Sequence, residues 1–212
     1  MKINTGSFVL FIIMMTTSCY AQTGPFEGME NSKVLPMLKD LPYEHGGWNI
    51  EASDGRYLYD LITKNGYTNG LEVGTSNGYS TLWLGLAFKQ TGGGIITIEI
   101  NENRANEARQ NFKKAGLDNV IASRLNNALK DIPNLEGPFD FVFLDAAKSD
   151  YLEYLRMLKP KLDRGGVITA HNVINLQSGM KDFLDAIKTD PDFETEIVET
   201  SSHGISVSFY KR

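Results

Sequence analysis

The chain lacks the features that mark several protein classes. It has 212 residues and a single cysteine, which excludes a fold stapled by disulfides. Its 7 prolines, its 20 glycines without a period and the absence of heptads exclude collagen-like, disordered and coiled-coil chains. Basic residues are in deficit, 21 against 26 acidic ones, and this argues against nucleic acid as a partner because phosphate binding needs a basic surface. The remaining class is one globular α/β domain.

The sequence also lacks a long apolar run. The longest one covers residues 8–15, which is too short to cross about 30 Å of hydrocarbon but suits the apolar part of a secretory signal. We expect residues 1–21 to be a signal peptide cleaved after Ala21, which implies export to the periplasm or cell envelope and no integral membrane span. The alternatives are lipidation at Cys19, a buried N-terminal helix, or a cytoplasmic form that starts at Met29.

The rest of the chain divides into a turn-rich lead-in over 22–47, with a short helix over 32–40, and one domain over 48–212. Ser53 is the predicted N-cap of a helix that stops at Asn65-Gly66. Short apolar strands then alternate with amphipathic helices, which predicts a parallel sheet covered on both faces. A tight turn at His203-Gly204 predicts that the last two strands are antiparallel. The predicted strands are 70–74, 95–100, 119–123, 139–144, 166–170, 193–199 and 205–210, and the helices between them are 78–90, 102–115, 127–132, 149–160 and 178–189.

A glycine turn joins the first strand to a helix in the stretch LEVGTSNGYS, residues 71–80. Gly74 and Gly78 let a ligand approach the backbone closely, and the helix start can donate N–H groups. The spacing G-x-x-x-G differs from the dinucleotide pattern G-x-G-x-x-G. Glu72 would repel a pyrophosphate but suits the ammonium group of an amino acid. By itself the turn is equally compatible with a plain strand-to-helix connection.

Glu99 strengthens the case for a ligand site, since it lies near the carboxyl end of the second strand, where open α/β sheets bind ligands. A carboxylate there can accept hydrogen bonds from ribose hydroxyls. Glu72 and Glu99 together favour S-adenosylmethionine over NAD, because that molecule has an amino-acid end and a nucleoside end but no phosphate. Its adenine is expected near Asn127-Ala128.

Four polar residues follow the fourth and fifth strands. Asp145 and Lys148 lie in the stretch DAAKSDY, and His171 and Asn172 come directly after the fifth strand. Because neighbouring strands end at the same edge, Asp145, His171 and Asn172 can converge on a divalent metal. Carboxylate and amide oxygens suit Mg²⁺, whereas an imidazole suits Mn, Fe or Zn. The alternatives are an Asp N-cap with a solvated lysine and a hydrogen-bonded loop histidine; His45 and His203 receive no role.

Four stretches together resemble the metal-dependent O-methyltransferases of the catechol and caffeoyl-CoA type: LEVGTSNGYS, IITIEIN, FVFLDAAKSDY and GGVITAHNV. The resemblance covers roughly residues 48–175. It implies a class I methyltransferase fold, a Rossmann-like three-layer sandwich with strand order 3-2-1-4-5-7-6 and an antiparallel seventh strand. It also implies transfer of a methyl group from S-adenosylmethionine to a hydroxyl of a small, catechol-like acceptor with metal assistance, and suggests a homodimer.

The resemblance assigns roles to individual residues. Lys148 is implied as the general base, and Asp145, Asn172 and the position of His171 as metal ligands. Residues implied in donor binding are Ile50, Glu72, Gly74, Gly78, Ser80, Glu99, Ala128 and Asp145, while Trp48 and Tyr151 are candidates for flanking the acceptor ring.

Two positions depart from the family pattern. His171 stands where the family usually has Asp, and Asn126-Asn127 where bacterial relatives often have Gly-Asp. The loss of one anionic ligand keeps open a protein that binds S-adenosylmethionine without a metal or without catalysis. An NAD-linked oxidoreductase is the other alternative, disfavoured by Glu72 and by the glycine spacing.

Overall fold

The computed structural model describes residues 24–29, 33–44 and 49–212. Seven strands form one sheet: β1 Asn69–Val73, β2 Gly94–Glu99, β3 Ile121–Leu125, β4 Phe139–Leu144, β5 Leu162–His171, β6 Phe193–Val198 and β7 Ile205–Tyr210. The α-helices of the described residues are α1 Val34–Glu44, α2 Ala52–Asn65, α3 Tyr79–Thr91, α4 Glu102–Ala115, α5 Ala128–Asp131, α6 Tyr151–Leu158 and α7 Lys181–Thr189.

The sheet order is β3-β2-β1-β4-β5-β7-β6. Strands β1 to β5 pair in parallel, whereas β7 is antiparallel to both β5 and β6. This confirms the predicted class I methyltransferase architecture. The carboxyl ends of the five parallel strands therefore lie along one edge, which is where this architecture places ligands.

Side chains along β4 alternate between the two faces of the sheet and contribute to a hydrophobic core on each face. Phe141 and Phe143 point to the face covered by α1 to α4, while Val142 and Leu144 point to the face covered by α6 and α7. Side chains of a strand alternate between faces, so a nearly all-apolar strand is buried on both sides. The helices on both faces hold the strand ends that form the site.

Several helices and strands begin at residues other than the predicted ones, for local reasons. The prediction of Ser53 as an N-cap is wrong: the N-cap is Glu51, two residues earlier, and α2 begins at Ala52. β3 starts two residues later than predicted, because Val120 N–H donates to Leu117 O and closes a turn first. A 3₁₀ turn over Lys148–Asp150 delays α6 to Tyr151.

The residues before α2 pack on the main core. The ring of Phe26 stacks on Trp83 with centroids 5.5 Å apart, and Arg56 Nη1 donates to the carbonyl oxygens of Pro25 and Glu27 at 3.3 and 2.6 Å. Met29, Val34, Leu38 and Leu41 are buried in the same core. The described part of the predicted lead-in is thus an integral layer of the fold.

The predicted signal segment, residues 1–21, lies outside the described residues, as do Trp48 and His45. Within the part of the chain that the structure describes, no helix combines the length and apolarity needed to cross a membrane.

We expect Phe26→Ala to lower the free energy of unfolding by about 2 kcal/mol, because it removes a half-buried ring and its stacking on Trp83. Glu27→Ala is the matched control, since Arg56 contacts only the backbone oxygen of Glu27 in this pairing. Urea denaturation of the three proteins measures the difference. Equal stability of all three would show that the Phe26 ring does not contribute to the stability of the fold.

Candidate functional site

A cavity of about 630 Å³ opens at the carboxyl ends of β1, β2, β4 and β5. Most of the predicted site residues line it: Ile50, Gly74, Ser80, Glu99, Ala128, Asp145, Lys148, His171 and Asn172. The strand ends bring these residues together, as the sequence predicted, although they span more than half of the chain. Glu72 and Gly78 are absent from the lining.

Gly74 and Gly78, the two glycines of the turn after β1, have different structural roles. Gly74 has φ 103°, and a Cβ there would lie 2.2 Å from the backbone oxygen of Asp145. It therefore lets the turn after β1 press against the end of β4. Gly78 has φ 89°, and a Cβ there would meet the ring of Phe112 at 2.5 Å. Its missing side chain makes room for packing of α3 on α4, and a role of Gly78 in ligand binding stays a prediction.

Glu72 lies beneath the cavity and is fully buried. Its carboxylate accepts hydrogen bonds from the hydroxyls of Ser80 at 2.6 Å and of Thr81 and Thr97 at 2.5 Å each. Burial raises the pKa of Glu72 to about 7, and these hydrogen bonds oppose that rise. Glu72 is therefore enclosed by hydroxyls and absent from the cavity lining, whereas Ser80, one of these partners, reaches the cavity; a direct contact of Glu72 with a ligand stays a prediction.

Glu99 is presented at the cavity by the backbone around it. Its Oε2 accepts the N–H of Ser76 at 2.7 Å, and its Oε1 accepts those of Ile100 and Asn101 at 3.0 and 2.9 Å. These bonds fix the carboxylate where β2 ends. A carboxylate has about four acceptor positions, so it can still accept a hydroxyl of a ligand.

Asp145 and Lys148 form a partly buried ion pair at the end of β4. Lys148 Nζ donates to Asp145 Oδ1 at 2.8 Å and to the hydroxyl of Tyr151 at 2.7 Å. The Tyr151 hydroxyl donates in turn to the backbone oxygen of Leu144 at 2.8 Å. This chain of contacts fixes the lysine amino group at the cavity wall. Burial alone would raise the pKa of Asp145, but His171 and Lys148 together hold it at about 2.

His171 lies between two carboxylates. Its Nε2 is 2.9 Å from Asp54 Oδ2, and its Nδ1 is 3.4 Å from Asp145 Oδ2. The second separation is too long for a strong hydrogen bond, so it acts mainly through charge. Burial by itself would lower the pKa of His171, yet the two carboxylates raise it to about 9. Without another cation between them, the ring is therefore protonated at neutral pH.

Asp54 is the site residue that the sequence did not reveal. It lies in the first turn of α2, where an acidic residue is common because the helix dipole favours it. Its side chain is fully buried and also accepts hydrogen bonds from the hydroxyls of Thr200 and, at 2.7 Å, of Ser201. Burial opposes ionisation, but the bonds from His171 and these hydroxyls lower the pKa of Asp54.

The aromatic wall differs from the prediction. Tyr151 is fully buried and meets Phe183 edge to face at 5.5 Å, so its ring does not flank a ligand in the cavity. Tyr154, one helical turn later, lines the cavity instead. His203, which received no role, also lines it, and its ring meets that of His171 at 5.4 Å.

The donor set near Asp145 fits a divalent metal. His171 Nδ1 is buried and has no hydrogen-bond partner among the described residues, although it faces a carboxylate. Asp145, His171 and Asn172 line one cavity and offer a carboxylate, an imidazole and an amide. Such mixed nitrogen and oxygen donors suit Mn, Fe or Zn better than Mg²⁺.

Known proteins are similar to this chain in both sequence and fold. A catechol O-methyltransferase of Niastella koreensis is 36% identical over 134 residues, which are 59% of this chain and 58% of that protein. A caffeoyl-CoA O-methyltransferase of Medicago sativa is 33% identical over 152 residues, 67% of this chain and 60% of that protein. The chain thus spans about three fifths of the length of these curated relatives.

An O-methyltransferase from Bacillus cereus, whose crystal structure is in complex with SAH, superposes with a TM-score of 0.74 and 26% identity over 87% of this chain and 93% of that one. The family model described as O-methyltransferase matches residues 28–189. These matches favour a methyltransferase over an NAD-linked oxidoreductase. Because the family model matches residues 28–189 and the strand order agrees, the chain belongs to the O-methyltransferase family.

Proposed function

We propose that this protein transfers a methyl group from S-adenosylmethionine to a hydroxyl of a small acceptor with adjacent aromatic hydroxyls. The observation that carries the proposal is one cavity that holds a backbone-anchored Glu99 at one strand end and the Asp145–Lys148 pair at another. The names of the relatives support the class of acceptor, and the complex of the Bacillus cereus protein supports the donor.

The donor would bind across the ends of β1 and β2. Glu99 accepts the ribose hydroxyls, Ala128 and Ile50 provide apolar contacts, and Ser80 contacts the amino-acid end. Glu72 holds the Ser80 hydroxyl from below and therefore acts as a positioning residue.

The acceptor would bind beside Lys148, where Asp145, His171 and Asn172 would hold a divalent metal. Such an ion, when bound, lowers the pKa of a coordinated hydroxyl. Lys148 acts as the base in its neutral amine form: Nζ takes the hydroxyl proton and becomes an ammonium that pairs with Asp145, and the resulting oxygen attacks the sulfonium methyl in line. The new O–C bond forms as the C–S bond breaks, and S-adenosylhomocysteine leaves. The protein contributes mainly alignment and proton removal, since the sulfonium is already reactive.

A metal-independent variant of this function is the second candidate. The ring of His171 already lies between Asp54 and Asp145, so it can supply a positive charge beside the acceptor without an ion. Methyl transfer that persists in the presence of a chelator would favour it.

We also propose that residues 1–21 are an export signal. The packing of Phe26 on Trp83 supports cleavage after Ala21, which leaves this contact intact, over a start at Met29, which removes it. N-terminal sequencing of the native protein distinguishes the two. A homodimer stays a prediction from the family resemblance.

Calorimetry with S-adenosylhomocysteine tests the donor site. We expect Glu99→Ala to weaken binding by about 10- to 100-fold, because hydrogen bonds to a charged group contribute about 1.5–3 kcal/mol. Glu102→Ala, which removes a carboxylate at the start of α4 outside the cavity lining, should bind like the wild type. If the folded wild-type protein shows no binding heat, the proposed function is wrong.

We expect Glu72→Gln to flatten the pH dependence of stability between pH 4.5 and 7. The unfolded chain ionises Glu72 near its ordinary pKa of 4.5, whereas the folded protein keeps it protonated up to about 7. The free energy of unfolding of the wild type should therefore fall by about 3 kcal/mol more than that of the variant as the pH rises through this range. Urea denaturation at intervals of one pH unit measures both curves; parallel curves contradict the assignment.

Lys148→Ala should lower kcat for a catechol by about 100- to 10,000-fold, the usual contribution of a general base, and leave S-adenosylhomocysteine affinity within about threefold. Lys159→Ala is the control, because that lysine forms ion pairs with Asp190 and Asp192 away from the cavity. Transfer of a radiolabelled methyl group measures kcat. An equal loss of turnover and of donor affinity would indicate a structural role for Lys148.

A further inference from the structure

Asp54 has no part in the proposed reaction, yet it is a fully buried carboxylate. Burying an unpaired charge costs several kcal/mol, so such a residue needs compensating partners. It has three, the hydroxyls of Thr200 and Ser201 and the ring of His171. The hydroxyls come from the turn between β6 and β7, and the ring comes from the end of β5, so Asp54 joins three parts of the cavity rim.

The contact with His171 decides which ring nitrogen faces Asp145. Because Nε2 is hydrogen-bonded to Asp54 at 2.9 Å, Nδ1 is the nitrogen left to face Asp145 at 3.4 Å. A nitrogen and an oxygen that are each about 2.1 Å from one metal ion lie about 3.0–3.4 Å apart. The observed separation is therefore already that of two ligands of one ion.

We propose that Asp54 is a positioning residue that holds His171 with its Nδ1 as a metal donor and thereby gives the site a preference for Mn²⁺ or Fe²⁺ over Mg²⁺. The inference rests on the proposed function and adds to it the choice of metal. A carboxylate behind a ligating imidazole fixes the tautomer and the ring orientation, and such partners contribute about 10- to 100-fold to metal affinity. An imidazole in place of a carboxylate favours these softer ions.

A metal on the other side of the ring is the competing arrangement. Asp54, His171 and His203 each offer an atom within 4.8 Å of the others. The distance of 2.9 Å between Nε2 and Asp54 Oδ2 disfavours it, because an ion there would have to replace this hydrogen bond. The hydroxyls of Thr200 and Ser201 also occupy the Asp54 oxygens. The two arrangements differ in their dependence on His203 and Asp145.

The test is titration calorimetry of the full chain with Mn²⁺ alone and with Mg²⁺ alone, without donor or acceptor. We expect Asp54→Asn to weaken Mn²⁺ binding by about 10- to 100-fold, because the amide lacks the charge that fixes the tautomer. Thr200→Val is the matched control: it removes another bond to Asp54, and it should bind Mn²⁺ within about threefold of the wild type. His171→Asp should reverse the preference in favour of Mg²⁺.

The ring itself gives a second readout that needs no variant at Asp54. On titration of the ¹⁵N-labelled wild type with Zn²⁺, the Nδ1 resonance of His171 should shift while Nε2 keeps its proton. A shift at Nε2, or loss of binding in His203→Gln but not in Asp145→Asn, places the ion beside Asp54 and overturns the inference. Equal losses in Asp54→Asn and Thr200→Val also overturn it, because they indicate a purely structural role.

Failure of this inference is distinguishable from failure of the proposed function. If the wild type binds no Mn²⁺ but binds S-adenosylhomocysteine and methylates a catechol with a chelator present, Asp54 has no metal to position and only the inference is wrong. If the wild type binds no S-adenosylhomocysteine, the proposed function is wrong as well.

Discussion

The end of the cavity beside β4 and β5 depends on two carboxylates, the buried Asp54 and the partly buried Asp145, which face one imidazole from opposite sides. Asp54 reaches His171 Nε2 from α2, and Asp145 faces Nδ1 from the end of β4. Two anions so close together in a buried site need positive charge between them, and either a ring proton or a metal ion at Nδ1 can supply it. The sheet must therefore hold β4 and β5 in register for the site to exist, and the extensive apolar packing on both faces of β4 does so.

At the end of the cavity formed by β1 and β2, backbone groups and hydroxyls fix two glutamates. Glu99 is held by three backbone N–H groups at the rim, whereas Glu72 is enclosed by three hydroxyls below it. The first arrangement presents a carboxylate to a ligand, and the second uses a carboxyl group to set the orientation of Ser80. Two glutamates from adjacent strands thus differ in role because one lies at a strand end and the other within a strand.

Much of the fold and part of the site could be predicted from the sequence. Apolar strands alternating with amphipathic helices predict the parallel sheet, and residues that end those strands, such as Glu99 and His171, line the cavity as expected. Side-chain direction was harder to predict, since Tyr151 turns into the core and Gly78 serves helix packing. Asp54 gave no signal at all, because an acidic residue in a first helical turn is common and its partner is 117 positions away.

By itself, the sequence determined the order of strands and helices and the chemical type of each group at the strand ends, because hydrophobic periodicity and residue identity are local properties. The tertiary structure alone decided which of these groups meet. It enclosed Glu72 among three hydroxyls, packed Phe26 on Trp83, and placed Asp54 behind His171. These contacts join segments distant along the chain, and their geometry depends on how the helices pack on the twisted sheet, which no local pattern encodes.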